Sequence, residues 1–253
     1  MNPSISGTRK IAAALSVALL AGTSGSLAAQ SAGSAAENKI LRFSSVATRG
    51  GMVSYVEKHE SEYRDGKIYR ARTDYLRENG EPLAYIESCF TESLAAPAHV
   101  FEDYRNGFRH GVRYEKGAAV LFSFDPGTDE KENRKEVALT GDGEILMVGC
   151  QGLFYYLQEY YQEAKLKGRV PLKLLITGTR EVYDFELEVR GERNGVAELT
   201  IHIQNRFLRL FAPKLEVRYD IVKKRMLWYK GLSNIQDDRG KIQTVEIVYD
   251  YAD

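Results

Sequence analysis

The chain has 253 residues, with 35 basic residues, 35 acidic residues and no net charge when histidine is counted as neutral. A balanced charge argues against nucleic-acid binding, because proteins that bind nucleic acids normally carry a strongly positive field. The length is sufficient for one domain with a sizeable hydrophobic core.

The N-terminus has the pattern of a signal peptide. Arg9 and Lys10 precede the apolar run 11–21, and small residues follow it before position 30. That run is shorter than the roughly 20 apolar residues that a membrane-spanning helix needs. We therefore predict export across the inner membrane, with the bacterial periplasm as the destination and no transmembrane span in the mature protein. The predicted segments are a signal peptide at 1–29, a flexible Ala/Ser/Gly-rich leader at 30–40 and a single β-rich domain at 41–253.

Short alternating segments separated by turn residues predict strands throughout the domain. In the clearest segment, Tyr183, Phe185, Leu187 and Val189 alternate with charged residues. Turn sequences such as Asn106-Gly107 separate the segments. We expect about ten to twelve strands, and the short connections predict that neighbouring strands are antiparallel.

One stretch has the pattern of a helix instead. From Gly152 to Lys167, apolar residues recur at helical spacing and form one stripe: Leu153, Tyr156, Leu157, Tyr160 and Ala164. We therefore place a helix at about 150–167. A lone helix among many strands must pack on them.

A sheet that is apolar on one face must close into a barrel, fold into a sandwich or curl around another element. The predicted fold class is mainly β, with a strongly curved antiparallel sheet as a half-barrel or open barrel and one helix packed on its concave face. A closed up-and-down barrel is the alternative.

The two cysteines, Cys89 and Cys150, both lie in the exported part, where an oxidising compartment permits a disulfide. Such a bond would attach the start of the helix to the strand that contains Cys89. The alternative is a pair of buried thiols that lie too far apart to bridge.

Sequence patterns of enzymes are weak in this chain. The four histidines show no spacing typical of a metal site, and His202 on a polar strand face is expected to be solvated. No Gly-x-Ser-x-Gly, phosphate-binding loop or Cys-x-x-Cys pattern occurs. We predict no enzyme activity, no metal and no cofactor. The carboxylates Asp184, Glu186 and Glu188 leave a hydrolase as an alternative, although alternating charge is also what a solvated strand face needs.

The closing stretch LEVRYDIVKKRMLWYKGLSNIQDDRGKIQTVEIVYDY (215–251), together with the signal peptide, the strand meander and the helix inserted midway, carries a family resemblance. The pattern resembles the periplasmic lipoprotein-carrier superfamily typified by LolA and LolB, and more particularly uncharacterised envelope proteins that share that half-barrel fold. The resemblance implies a concave face lined by aromatic and aliphatic side chains that holds acyl chains.

The predicted function is that of a periplasmic binding or carrier protein for a hydrophobic or amphipathic ligand, such as a lipid or acyl chain. Tyrosine suits such a cavity because it has an apolar body and a polar tip. The predicted lining residues are Leu153, Tyr156, Leu157, Tyr160, Phe185 and Tyr219. The main alternative is an envelope assembly or interaction protein that has a filled core and binds an envelope protein partner through its surface.

Overall fold

The computed structural model describes residues 38–138, 147–205, 207, 209, 214–238 and 240–251. The predicted signal peptide at 1–29 lies outside these residues, as does most of the predicted leader at 30–40. The first strand begins at Lys39, within the last two residues assigned to that leader.

The described residues form fifteen strands and one helix, which confirms a mainly β fold. The helix is α1 (Gly152–Lys167), and it lies between β9 and β10. The strands are β1 (Lys39–Arg49), β2 (Met52–Arg64), β3 (Lys67–Leu76), β4 (Pro82–Cys89), β5 (Ala98–Asp103), β6 (Arg109–Glu115), β7 (Ala118–Phe124), β8 (Asn133–Ala138), β9 (Met147–Gly149), β10 (Arg169–Ile176), β11 (Glu181–Arg193), β12 (Val196–Ile203), β13 (Leu215–Asp220), β14 (Arg225–Gln236) and β15 (Ile242–Asp250).

The expected number of ten to twelve strands was too low, and β1 is one strand that is not recognisable in the sequence. Its buried positions include the polar residue Ser45, while Val46 points outward and is 39% exposed. This arrangement removes the apolar and polar alternation that identifies the other strands. Strand β9 has only three residues and gives no periodic signal either.

All fifteen strands belong to one curved open sheet, in the order β8-β7-β6-β5-β4-β3-β2-β1-β15-β14-β13-β12-β11-β10-β9. The first and last strands of the chain pair with each other and join two meanders. Neighbours are antiparallel, as expected, except that β9 and β10 are parallel. The exception arises because α1 crosses between them, and a parallel pair needs such a long connection.

The two ends of the sheet approach each other through side chains. Lys135 on β8 lies 2.7 Å from the carboxylate of Glu181 on β11. Arg180, in the turn between β10 and β11, donates a hydrogen bond to Ser123 on β7. An apolar cluster of Val112, Leu121, Met147 and Leu175 joins β6 and β7 to β9 and β10. The sheet therefore has a barrel-like outline without backbone pairing between β8 and β9 in the part of the chain that the structure describes.

Helix α1 is covered on two sides. Leu157 and Ala164 are buried in the main core cluster with residues of β10 to β14. On another flank, Tyr155 packs edge-on against Phe90, with ring centroids 4.7 Å apart. The helix ends at Gly168, whose φ of 74° is readily adopted by glycine.

The start of the helix is fixed by close packing on a backbone carbonyl. A Cβ atom at Gly152 would lie 1.8 Å from the carbonyl oxygen of Ala95. The N–H of Gly149 donates to that same oxygen at 2.9 Å. Glycine at 152 therefore allows the helix to begin directly against the loop before β5, which places Cys150 and Gln151 inside the curved sheet.

Candidate ligand-binding cavity

The interior of the curved sheet contains a cavity of about 270 Å³ next to the N-terminal end of α1. Its walls come from both halves of the sheet, namely from β2 and β3 on one side and from β10, β11 and β13 to β15 on the other. The lining is mostly apolar and aromatic and includes Leu153, Phe154, Leu174, Phe185, Met226 and Ile247. This composition is typical of small-molecule sites, which measure roughly 300–1,000 Å³.

One wall of the cavity carries a chain of buried polar groups. Ser45 Oγ donates to Glu57 Oε2, and His59 Nε2 lies 3.1 Å from the same carboxylate oxygen. His59 Nδ1 is 2.8 Å from Thr73 Oγ1, which also accepts a hydrogen bond of 2.8 Å from Gln151 Nε2. All five residues are buried. We call these residues, Ser45, Glu57, His59, Thr73 and Gln151, the polar wall.

Strand pairing brings the polar wall together. Glu57 and His59 are two residues apart on β2, so their side chains point to the same face. Glu57 pairs across the sheet with Ser45 on β1, and His59 pairs with Thr73 on β3. These are cross-strand neighbours, whose side chains lie within reach of each other.

The remaining member of the polar wall comes from the residue that precedes the helix. Gln151 occupies the N-cap position but makes no side-chain capping bond. Its amide nitrogen binds Thr73 instead, and its Oε1 is buried without a hydrogen-bond partner. An unsatisfied buried acceptor is costly, by about 1–3 kcal/mol, so this atom marks a position where a donor is missing.

The order of the hydrogen bonds argues against a catalytic triad. In a serine hydrolase the serine contacts one ring nitrogen of the histidine and the acid contacts the other. Here Ser45 and Glu57 both lie 3.1 Å from His59 Nε2, and the hydroxyl of Ser45 donates directly to Glu57. His59 therefore lacks the triad arrangement, in which one ring nitrogen takes the serine proton while a carboxylate orients the other nitrogen.

Four tyrosines line the same cavity as Glu57: Tyr55, Tyr75, Tyr229 and Tyr249. Burial raises the pKa of each phenol, and the negative charge of Glu57 raises it further. The phenols therefore stay neutral near pH 7. Their rings and Phe154 form an aromatic wall beside the carboxylate, with the Phe154 and Tyr249 centroids 5.5 Å apart.

A second polar cluster lies at the junction of the two sheet ends. Thr177 Oγ1 is 2.8 Å from His110 Nδ1 and 3.4 Å from His99 Nε2. Burial lowers the pKa of His99 to about 4. Burial, together with the neighbouring His99, lowers the pKa of His110 to about 3. Both rings are neutral at pH 7, so this cluster of His99, His110 and Thr177 is polar but uncharged.

The structure separates the six predicted lining residues into two groups. Leu153 and Phe185 line the cavity. Tyr156, Leu157 and Tyr219 are buried in the main core cluster, against which Tyr160 packs, and these four are not among the lining residues. The ligand-binding role of all six remains a prediction.

The predicted disulfide is wrong, since both cysteines are free thiols. Cys150 lines the cavity, and burial raises its pKa to about 12. Cys89 is at the end of β4, where Ile86 is buried and Glu87 is partly exposed. By strand alternation Cys89 shares the outer face with Glu87, so the two sulfur atoms point to opposite sides of the sheet.

The expectation of a solvated His202 is also wrong. His202 is buried, and its Nε2 lies 2.6 Å from Glu186 Oε1, which Arg209 also contacts at 3.0 Å. Burial opposes ionisation of Glu186, but the hydrogen bonds from His202 and Arg209 hold its pKa below the usual value. A hydrolase of the predicted type needs a carboxylate with a raised pKa. This cluster therefore does not favour the hydrolase alternative.

The polar wall is not predictable from strand alternation, because its residues on β2 have the pattern of a solvated strand face. Tyr55, Glu57, His59 and Ser61 alternate with Val56, Lys58 and Glu60, so both faces of β2 carry polar residues. One feature of the sequence does indicate that this face is buried. Tyr55 and Tyr63 lie on the same face of β2 as Glu57, and tyrosines rarely occupy a fully solvated surface.

The described residues contain neither a membrane-spanning helix nor a cluster of metal-binding side chains. No helix in this part of the chain combines the length and apolar character needed to cross a membrane. No group of three or more His, Cys, Asp or Glu side chains among the same residues is arranged to hold a metal ion.

Comparison with known proteins assigns neither a family nor a function. No protein-family model and no curated protein matches the sequence. The chain is similar to the crystal structure of a β-barrel-like protein of domain of unknown function DUF1849 from Brucella abortus, with a TM-score of 0.42 and 9% sequence identity over 85% of this chain and 95% of that chain. This weak likeness concerns the β-barrel-like fold alone, and the predicted resemblance to LolA and LolB is not confirmed.

Proposed function

We propose that this protein is an exported, non-enzymatic binding protein that holds one small amphipathic molecule inside the curved sheet. The observation that carries the proposal is the mostly apolar cavity of about 270 Å³ with a polar wall on one side. A cavity of about 270 Å³ lies just below the roughly 300–1,000 Å³ range of ligand sites, so it suits a small molecule or a single acyl chain.

The cavity has a rim and a deep end that differ in exposure. Thr179, Leu232 and Ile242 line the cavity and are exposed, so they mark the side from which a ligand enters. The polar wall lies among fully buried side chains such as Tyr55. A ligand with a polar head and an apolar tail would place its head at the polar wall and its tail along Leu174, Phe185 and Met226.

Two further features support the proposal. The basic and apolar N-terminal pattern is typical of export, and the periplasm is the compartment that we assign on that basis. The interaction protein considered as an alternative would have a filled core, whereas this core is interrupted by the cavity.

The proposal is tested by titrating the mature protein with Nile red, a neutral dye that becomes fluorescent in apolar sites. The wild-type protein should bind about one dye per chain, and an extract of envelope lipids should displace it. Leu174→Phe adds a ring inside the cavity and should weaken dye binding by about tenfold or more, which corresponds to about 1.4 kcal/mol. Circular dichroism and urea unfolding show whether that variant keeps its fold.

The matched control is Leu94→Phe, the same substitution at a residue that is 43% exposed and lies outside the cavity. It should bind the dye as the wild-type protein does. Full-strength binding by a folded Leu174→Phe variant, or the absence of saturable binding by the wild-type protein, would contradict the proposal.

A further inference from the structure

The chemical character of the ligand's head can be inferred from the donors and acceptors that the polar wall leaves unused. The hydrogen bonds form one continuous chain when Gln151 donates to Thr73, Thr73 donates to His59 Nδ1, and His59 Nε2 donates to Glu57. Ser45 adds a second donor to the same carboxylate. In this arrangement every donor of the chain except the second N–H of Gln151 is already engaged within the protein.

The acceptors, in contrast, are not all engaged. Every hydrogen bond that Glu57 makes with the described residues reaches Oε2, which leaves Oε1 without a protein donor there. Gln151 is only 9% exposed, and its Oε1 has no partner. Both residues line the cavity. The polar wall therefore offers two oxygen acceptors to a ligand that carries hydrogen-bond donors.

The charge of the polar wall also favours a ligand that carries hydrogen-bond donors over an acidic ligand. Glu57 is 5% exposed, and none of the described residues that line the cavity is lysine or arginine. A buried carboxylate is costly unless an opposite charge or several donors compensate it. A carboxylate or phosphate head at this position would face Glu57 without a basic residue to hold it, so an acidic ligand is disfavoured.

The aromatic rings add a third contribution. Tyr55, Tyr75, Tyr229 and Tyr249 line the cavity together with Glu57. The faces of aromatic rings attract cations, and more strongly when the pair is shielded from water. A cavity lined by aromatic rings and a carboxylate has the chemical character of sites that hold ammonium groups.

We propose that the cavity selects a ligand whose polar head is an organic ammonium ion, held between the carboxylate of Glu57, the amide oxygen of Gln151 and the surrounding tyrosine rings. This inference rests on the proposed function, because it specifies the ligand class of the same cavity. The several N–H donors of an ammonium group could satisfy both open acceptors, and a quaternary ammonium would still interact with the carboxylate and the rings.

The test compares three probes that share an octyl chain and differ only in the head: octylammonium, octanoate and octanol. Binding of each to the mature wild-type protein is measured by isothermal titration calorimetry at pH 7 and low ionic strength. Octylammonium should bind at least about tenfold more tightly than octanoate, a difference of about 1.4 kcal/mol, with octanol between them.

Two variants on the same strand locate the effect. Glu57→Gln keeps an acceptor for Ser45 but removes the charge, and it should weaken octylammonium binding by about tenfold and abolish the preference over octanoate. Glu60→Gln is the matched control, because Glu60 faces the outside of β2 and pairs with Arg42 at 2.8 Å. It should leave the affinities of all three probes unchanged.

The outcomes separate this inference from the proposed function. If the wild-type protein binds octanoate or octanol as tightly as octylammonium, the cavity binds amphiphiles but the ammonium assignment is wrong. If none of the three probes binds, the binding function itself fails. The wild-type series decides the matter even if Glu57→Gln does not fold.

Discussion

The junction between the two ends of the sheet should make the stability of the protein depend on pH. His99 and His110 are buried there around Thr177, and burial lowers their pKa values to about 4 and about 3. In the unfolded chain both histidines have a pKa of about 6.5. The folded state therefore binds fewer protons than the unfolded state whenever the pH lies between these values.

The sign and size of the effect follow from proton linkage. Stability from the two neutral histidines is fully present above about pH 6.5 and is lost as the pH falls from there toward the folded pKa values. Between pH 7 and pH 5, the pKa values of about 4 and about 3 imply a loss of about 2 kcal/mol per histidine and about 4 kcal/mol in total.

The assay is urea unfolding at pH 7 and pH 5 for the wild-type protein and for His110→Asn. The amide of asparagine can replace His110 Nδ1 as the partner of Thr177, but it does not titrate. The variant should therefore lose about 2 kcal/mol over this pH interval instead of about 4. A wild-type stability that does not fall between pH 7 and pH 5, or a variant that falls as steeply as the wild type, would refute the reasoning. His99→Asn serves as the second variant.

Three other predictions concern packing and the thiols. Gly152→Ala should lower the free energy of unfolding by about 2 kcal/mol or more in urea titrations, because the added Cβ atom has no space. Gly191→Ala is the control and should change the free energy of unfolding little, because a Cβ atom there would have no heavy atom within 4 Å. Tyr156→Phe should leave stability unchanged or raise it by up to about 1 kcal/mol, because the hydroxyl is buried without a partner; a loss above 1 kcal/mol would show that the hydroxyl is bonded. When the protein is unfolded without reductant, both thiols should react with iodoacetamide, as detected by mass spectrometry. In the folded protein Cys89 should react before Cys150, because burial raises the pKa of Cys150 to about 12. Resistance of both thiols after unfolding would indicate a disulfide.

The sequence predicts the parts of this fold that depend on local periodicity. The stripe of Leu153, Tyr156 and Leu157 identifies α1, and the alternation along β11 identifies a strand with one buried face. Strand β1 is not predicted because Ser45 occupies a buried position, where it belongs to the polar wall, and so interrupts the apolar alternation. Polar residues on a core face remove the alternating pattern by which a buried face is recognised.

The candidate site depends on pairings that no local pattern contains. Ser45 meets Glu57, and His59 meets Thr73, only through the register of β1, β2 and β3. Gln151 contacts Thr73 although the two residues are 78 positions apart in the sequence, because Gly152 fixes the start of the helix. The outward direction of Cys89, in contrast, was available from its alternation with Ile86, and it would have excluded the disulfide.

The most direct test of the account is native mass spectrometry of the mature protein, purified from its own envelope without detergent, followed by organic extraction of any bound molecule. The account predicts one adduct per chain that is released by organic solvent and carries an ammonium group. A bare protein mass in a preparation that also fails to bind Nile red would contradict the claim that the cavity holds a ligand. An extracted acidic lipid would retain the cavity as a binding site but contradict the role assigned to Glu57.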